Sequence, residues 1–437
     1  MKAVILAGGK GLRLLPLTKN LPKPLIKIGQ KPVIEHQIIL LKKYGLKDVW
    51  ILSGYLGEKI EEYLKDGRKW GIKLHYLQEE EPLGTAGALK QLEGKIKNDF
   101  LVFSGDVMMN FDVKRFISWH RQKKDSFASF IVHSNDHPFS SDLVEVDFEN
   151  RVVSLLSRPH PPERIFRNLS IASVFIFSPG IFKYIPAGKK TDFEKDILPL
   201  VLTAKEKAYA YSSPEYFRDI GSLERLEAVR KDYLSEKIKK FSLKNKRPAI
   251  FLDRDGVINE EVDQLCRIED LSVYDFAGPA IKKINEAGYL TILATNQPML
   301  AKGFMTEKEL NEIHKKLETE LGRQGAKIDA IYYCPHHPEN GFPGEIPGLK
   351  IRCNCRKPAT GLIQQAAKDF NLDFKNSCLI GDSSIDAKTA ENAKIKFIGV
   401  KTGYACKDDK IPVSRNFPRC QNLLFAVNYF LNHQGKI

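Results

Sequence analysis

The chain has 437 residues, with 68 Lys+Arg against 54 Asp+Glu and a formal net charge of +14 at pH 7. At roughly 150 residues per domain this length predicts two to three domains, and a hydrophobic share of 43% excludes a disordered chain. No apolar run approaches the ~20 residues of a membrane span, and the short apolar start Met1–Leu6 runs into Gly8 and Gly9, unlike a signal peptide, so a cytoplasmic protein with no membrane partner is expected. The seven cysteines, an odd number crowded toward the C-terminus, make a poor disulfide framework. The positive charge suits nucleic acid, phosphorylated small molecules or a basic surface. Its densest run, Lys237 to Arg247, is accompanied by no RNP-like aromatic pattern and no repeated basic helix. It reads as a solvated linker, and no nucleic-acid partner is expected.

In chain order, Lys2–Leu6 reads as a buried strand, followed by a glycine loop and a helix near Val33–Tyr44. Asp48–Leu52 is a second strand, Glu58–Leu64 a short helix, and Lys73–Leu77 and Phe100–Phe103 further strands. Strands alternating with helices predict a mainly parallel sheet covered on both faces. Phe127–Val153 has hairpin spacing and predicts an antiparallel portion. At Pro248–Asp253 the pattern restarts with a new apolar strand, and Tyr289–Ala294, Ala330–Tyr333, Cys378–Gly381 and Lys396–Val400 continue it. The expected organisation is two α/β domains, each a Rossmann-like mainly parallel sheet covered by helices. They span residues 1–234 and 249–437, with 235–248 as linker.

The first chemical signal is Gly8-Gly9-Lys10-Gly11 after a strand, where glycines let backbone approach a ligand and N–H groups cradle phosphate. The spacing fits neither a Walker loop nor the dinucleotide fingerprint. Pro22-Lys23-Pro24 then holds Lys23 in a stiff segment. The stretch Ala7–Leu25 resembles the signature of sugar-1-phosphate nucleotidyltransferases. The resemblance continues in order through Glu81-Pro82-Leu83-Gly84-Thr85, Ser104-Gly105-Asp106, Phe193-Glu194-Lys195-Asp196 and Asp219-Ile220-Gly221, over roughly residues 1–230. It implies Mg²⁺ on Asp106 and Asp219, Arg13 on the triphosphate and departing pyrophosphate, and Lys23 on the α-phosphate. It also implies nucleotide and sugar contacts from Gly84 and Thr85, with Lys195 on the sugar phosphate and Glu194 on a sugar hydroxyl. Two anions must meet in such a reaction, so cations and positioning carry it. Where that family has an Asn-Ala-Gly turn, this chain has Ile171-Ala172-Ser173.

The second signal is Asp253-Arg254-Asp255 at a strand end, two carboxylates two apart on one face of an extended segment. With Thr295-Asn296, Cys355-Arg356-Lys357-Pro358 and Gly381-Asp382 following in order, residues 249–435 resemble haloacid-dehalogenase-like phosphotransferases. The resemblance implies Asp253 as nucleophile through an aspartyl-phosphate and Asp255 as the acid and base. Thr295, Asn296 and Lys357 would then act around the phosphoryl group, with Mg²⁺ on Asp253, Asp382 and the Asp255 carbonyl, and Asp386 as an orienting neighbour. Cys334-Pro335-His336-His337 and Cys353-Asn354-Cys355 supply a four-ligand set, Cys334, His336, Cys353 and Cys355, suited to a structural Zn²⁺; His337 is an alternative to His336. A zinc loop in such a phosphatase resembles the D-glycero-D-manno-heptose 1,7-bisphosphate phosphatases, which implies Arg356 as a substrate-phosphate contact. Pro298-Met299 and Lys302-Gly303 stand where that branch has Ser-Gly and an Arg before the glycine.

Together the resemblances imply a bifunctional enzyme of nucleotide-sugar synthesis. It would remove the C7 phosphate of a heptose bisphosphate and join heptose 1-phosphate to a nucleotide, GTP being the expected partner. Two alternatives stay open: another sugar, such as mannose 1-phosphate, with a histidinol-phosphate-type phosphatase, or a non-catalytic sugar-phosphate sensor.

Overall fold

The computed structural model describes residues 1–414 and 416–433. The chain forms two compact units. The first holds 1–133, 141–158 and 169–242; the second holds 134–140, 159–168 and everything described from 243 onward. No described helix is long and apolar enough to cross a membrane.

The first unit is built on a nine-stranded mixed sheet. Its parallel part puts Lys2–Ala7 between Asp48–Ser53 and Phe100–Ser104, with Lys73–Gln78 beyond. The central strand buries Val4 and Ile5 completely, as expected of a strand covered on both faces. The other part is antiparallel apart from Ala208–Ser212, which pairs parallel with Ala128–His133. Ser170–Phe177 pairs with Phe100–Ser104 and with Ala128–His133, and Leu143–Val146 pairs with Val152–Leu156. Ser170–Phe177 carries a register irregularity between Ile171 and Phe175, with Ser173 at φ 54°. A separate antiparallel pair, Val107–Asn110 with Tyr216–Asp219, sets Asp219 opposite Val107. Most of its core lies in two clusters, one around Ile5, Ile38, Phe103 and Phe116 and one around Val4, Phe100, Phe177 and Phe193. Residues 235–242 are structured and belong to this unit. Lys237–Lys240 is a helical turn whose Ile238 is buried beside Leu14 and Ile26.

The second unit carries a six-stranded, wholly parallel sheet. Its order is Ala330–Cys334, Leu290–Asn296, Ala249–Leu252, Cys378–Gly381, Lys396–Val400 and Arg419–Cys420. Crossover connections leave the carboxyl ends of these strands on one side, where ligands bind in open α/β sheets. Two short excursions, 134–140 and 159–168, complete this unit along its helix Glu307–Arg323. Phe166 is fully buried against Phe139 and His160, and Thr319 bonds both its N–H and its carbonyl. Arg167 pairs with the buried carboxylate of Glu318.

Candidate active sites

In the first unit the signature loop leaves the end of Lys2–Ala7. Gly11 sits at φ 63°, which favours glycine, with Lys23 Cβ and the Thr18 side chain packed behind it. A Cβ on Gly8 would fall 2.2 Å from Glu79 Oε2, so a side chain there would have to displace that carboxylate. Gly9 has open space around it. Asp106 follows the end of Phe100–Ser104. Its carboxylate accepts from Lys23 Nζ and, at 2.7 Å, from Ser104 Oγ. Burial alone would raise this carboxyl, but the Lys23 ammonium and the Ser104 hydroxyl outweigh it and hold it below the usual range. The Ile220 N–H donates to the Asp106 carbonyl at 3.0 Å, which ties the two strand ends together. Asp219 is held by Arg225 at 2.6 Å and by the Gly221 N–H at 2.8 Å. Gly221 marks the convergence: a Cβ there would lie 2.5 Å from Asp219 Oδ1, 3.0 Å from Arg13 Nη2 and 3.6 Å from Lys23 Nζ. Arg13, Lys23, Asp106 and Asp219, scattered over 200 residues, thus meet at one place.

Beside it lies a small cavity lined by Leu6, Thr85, Ser104, Ser173, Phe193 and Glu194, among others. Gly84 enters at φ 76°, with no room for a Cβ against the Thr191 carbonyl. Thr85 Oγ1 donates to Asp192 and accepts from the Phe193 N–H, so the loop and the 192–197 turn form one wall. Burial, and next the Asp192 charge, push the Glu194 carboxyl up to about 8. Lys195 is exposed, its N–H capped by Asp192. Glu79 escaped the sequence reading. It is buried, one oxygen accepts from the Leu83 N–H at 3.0 Å, and the other faces Gly8.

In the second unit a cavity of about 190 Å³ opens at the carboxyl ends of the parallel strands. Asp253, Thr295, Asn296, Arg356, Lys357 and Asp382 all line it. Oxygens of Asp253, Asp382 and Asp386 lie within 4.8 Å of one another. Lys357 Nζ sits between Asp253 (2.8 Å) and Asp386 (2.6 Å). Burial and the neighbouring carboxylate of Asp386 raise both Asp253 and Asp382. Burial would lower Lys357, but Asp253 and Asp386 raise it, so it stays an ammonium. One cation against three buried acids is an unbalanced set, and it fits a divalent cation that takes oxygen ligands. Asp386 also caps its helix through Ser383, which makes it an orienting residue.

Asp255 does not join the acid cluster. The chain turns after Asp253, and the Asp255 carboxylate accepts from Arg254, Asn259 and Gln297. Burial would raise it, but the Arg254 guanidinium holds it below the usual range. The chain turns there, with backbone bonds from Val257, Ile258 and Asn259 to the Arg254 carbonyl, and Asp253 and Asp255 still line one cavity, with different partners. Asn296 is engaged with the backbone of Lys357, accepting its N–H at 2.9 Å and donating to its carbonyl at 3.1 Å. It thus braces the lysine. Arg356 donates to the His336 carbonyl at 3.2 Å.

Ligand atoms of Cys334, His336, Cys353 and Cys355 lie within 4.8 Å of one another, with sulfur–sulfur separations of 3.2 to 3.6 Å. Three thiols and an imidazole around one point are the donor set of a closed tetrahedral site. His337 turns instead toward Glu339 and the Phe342 ring.

Comparison with known proteins follows the same division. A family model described as nucleotidyl transferase matches residues 2–236, and one described as HAD-hydrolase-like matches residues 354–421. Over 224 residues the chain is 32% identical to a mannose-1-phosphate guanylyltransferase of Mycobacterium tuberculosis, covering 51% of this chain and 61% of the relative. It is 30% identical over 253 residues to a UTP–glucose-1-phosphate uridylyltransferase of Synechocystis, covering 55% and 65%. The chain thus spans under two thirds of the length of these two relatives. Over 161 residues it is 40% identical to the D-glycero-alpha-D-manno-heptose-1,7-bisphosphate 7-phosphatase of Photorhabdus laumondii, covering 37% of this chain and 86% of that one.

Proposed function

This chain belongs to the nucleotidyl transferase family through its first unit and to the heptose-bisphosphate 7-phosphatases through its second, and from that premise we propose a bifunctional enzyme of nucleotide-heptose synthesis. The second unit would take D-glycero-D-manno-heptose 1,7-bisphosphate and release the C7 phosphate. The first would join the resulting heptose 1-phosphate to a nucleoside monophosphate, with GTP as donor and pyrophosphate leaving. The observation that carries the reading is the meeting of two separate acid-and-lysine clusters, Asp106 with Lys23 and Asp253 with Lys357, one in each unit.

In the first unit Arg13 and Lys23 would neutralise the triphosphate, Lys23 at the phosphorus where charge develops. Thr85, Glu194 and Lys195 would position the sugar phosphate, and Gly8, Gly9 and Gly11 would let the loop backbone approach the nucleotide. Asp106 and Asp219 would hold Mg²⁺, which supplies charge to screen the two reacting anions. In the second unit the Asp253 carboxylate would attack phosphorus, and Lys357 and Thr295 would hold phosphoryl oxygens. Asp255, an ionised carboxylate beside Arg254 in the structure, would have to take up a proton as substrate binds, give it to the departing sugar oxygen and then take one from water. Mg²⁺ on Asp253, Asp382 and the Asp255 carbonyl would lower the repulsion between carboxylate and phosphate. Zn²⁺ on Cys334, His336, Cys353 and Cys355 would be structural, closing the loop that leads directly into Arg356 and Lys357.

The test supplies the heptose bisphosphate with each nucleoside triphosphate in turn and identifies the sugar nucleotide by mass. GDP-heptose with one phosphate and one pyrophosphate per turnover is expected. Phosphate release with no sugar nucleotide from any triphosphate would refute the combined reading.

A further inference from the structure

One wall of the second unit's cavity belongs to none of the motifs above. It is the loop 402–411, which lies beyond the strand Lys396–Val400 and contributes Tyr404 and Lys410 to the cavity lining. The loop is held in a costly conformation. Ala405, Cys406 and Asp409 have φ of 55°, 55° and 47°, and Gly403 has 56°. Non-glycine residues in the left-handed region cost on the order of 1 kcal/mol or more each, and such strain persists only where surrounding contacts over-determine it. Those contacts are present and reach the catalytic strand ends. Thr402 Oγ1 donates to the Gly256 carbonyl at 2.6 Å, and the Tyr404 N–H donates to Asp382 Oδ2 at 2.7 Å. Asp408 accepts from both the N–H and the hydroxyl of Ser384, at 2.7 and 2.8 Å. Gly403 packs so closely that a Cβ would fall 2.0 Å from Asp382 Oδ2 and 2.8 Å from the Gly256 Cα.

What this rigid loop presents is a cation. Lys410 Nζ lies 3.8 Å from the centre of the Tyr404 ring, and both residues line the cavity. Of the cavity's other cations, Lys357 is held by Asp253 and Asp386 and Arg254 by Asp255 and Gln297, whereas Arg356 gives one N–H to the neutral His336 carbonyl and keeps its charge elsewhere in the lining to offer an anion as well. Lys410 has no ion pair within 4 Å among the described residues; its ammonium meets the Tyr404 hydroxyl and faces the Glu261 carboxylate. The neighbouring lining consists of Glu261, Val262, Asp263 and Leu265. Without Lys410 that side would be acidic and apolar, unfavourable for a substrate with a second anion.

We propose that Lys410, presented by the strained loop 402–411, binds the non-reacting phosphate of a sugar bisphosphate and so selects bisphosphates over monoesters. The inference rests on the phosphatase reading above and adds to it the residue that recognises the far end of the substrate.

The test compares the parent full-length enzyme with Lys410→Met, Lys410→Glu and Lys410→Arg on heptose 1,7-bisphosphate and on p-nitrophenyl phosphate, which has no second phosphate. For Lys410→Met, kcat/KM on the bisphosphate is expected to fall roughly tenfold, mostly through KM, as expected for loss of a charge-assisted contact. Hydrolysis of p-nitrophenyl phosphate should stay within about twofold. Lys410→Glu should fall further and Lys410→Arg should largely recover. Equal loss on both substrates would assign the lysine a structural role and overturn the proposal, as would no loss on either. A parent enzyme with no preference for the bisphosphate would overturn the underlying substrate reading together with it. A parent that prefers the bisphosphate while Lys410→Met keeps the same preference would overturn the lysine's role alone.

Discussion

Replacing Gly221 by alanine perturbs the first site with one added carbon. The new Cβ would stand 2.5 Å from Asp219 Oδ1, where ordinary contact begins near 3.4 Å, so about 1 Å of movement is demanded. Asp219 cannot yield freely, because Arg225 and the Gly221 N–H pin its carboxylate. The same carbon would lie 3.0 Å from Arg13 Nη2, a second group of the site. Gly221 is outside the left-handed region, so alanine brings no strain of that kind, and the unfolded-chain effect of glycine to alanine is only ~0.4–1 kcal/mol. A displacement near 1 Å at a positioning group costs on the order of 100-fold in rate, or about 2.7 kcal/mol at 1.36 kcal/mol per decade. The expected result for Gly221→Ala is therefore a loss of about 100-fold in pyrophosphate release, a melting temperature within a few degrees of the parent, and unchanged phosphate release by the second unit. Nucleotidyl transfer within twofold of the parent would refute the convergence of Asp219, Arg13 and Lys23 on a reacting centre. Loss only in step with unfolding would refute the crowding argument.

The zinc reading predicts about one zinc per chain by emission spectrometry. Its removal by a strong chelator should lower the thermal stability of phosphate release but not of nucleotidyl transfer, since bound structural zinc contributes folding free energy outright; a metal-free protein with the same melting profile would contradict it. Phe166→Ala should cost roughly 3–5 kcal/mol, the usual range for a buried ring, and heat inactivation should reach phosphate release first although the residue lies in the first half of the sequence. If nucleotidyl transfer fails first, the excursion 159–168 does not stabilise the second unit. For Glu194, raised to about 8 by burial and Asp192, the folded chain keeps a proton that the unfolded chain releases near 4.5. That contribution is complete below about pH 4.5 and declines until about pH 8, so Glu194→Gln should gain stability relative to the parent across this window and no further above it. A stability difference that does not change between pH 5 and 8 would exclude the raised carboxyl.

Motifs at strand ends were readable because both sheets put them there. Apolar runs such as Pro248–Leu252 announce a buried strand, and the residues just past such a run are held at the sheet's carboxyl edge. The family resemblances rest on such positions, and the structure sets Asp106, Asp253, Thr295 and Asp382 at or just past strand ends. Local spacing said nothing of partners: Asp253 and Asp255 stand two apart and line one cavity, yet Lys357 holds the first carboxylate while Arg254 and Gln297 hold the second. Tertiary partners of this kind have no sequence period. Glu79 and Lys410 were invisible for the same reason, one defined by a close glycine loop and the other by a strained turn. The excursions 134–140 and 159–168 also left no signal, since each is too short to show periodicity and the helix Glu307–Arg323 lies about 140 to 190 residues further along the chain.

The two sites balance charge in opposite ways, and this bears on how each depends on a metal. Asp106 already has the Lys23 ammonium and stays below the ordinary carboxylate range, so the first site is close to neutral locally and tolerates its acids when empty. In the second, Lys357 is shared by Asp253 and Asp386, and among the described residues Asp382 has no ion pair and accepts the Tyr404 N–H. Burial drives such acids toward protonation, and a protonated Asp253 is no nucleophile. A divalent cation there would both draw the phosphate in and keep the attacking carboxylate ionised. Titration with Mg²⁺ should accordingly shift the acidic limb of phosphate release to lower pH, whereas in the first site it should change the rate of transfer without moving a limb assigned to Asp106.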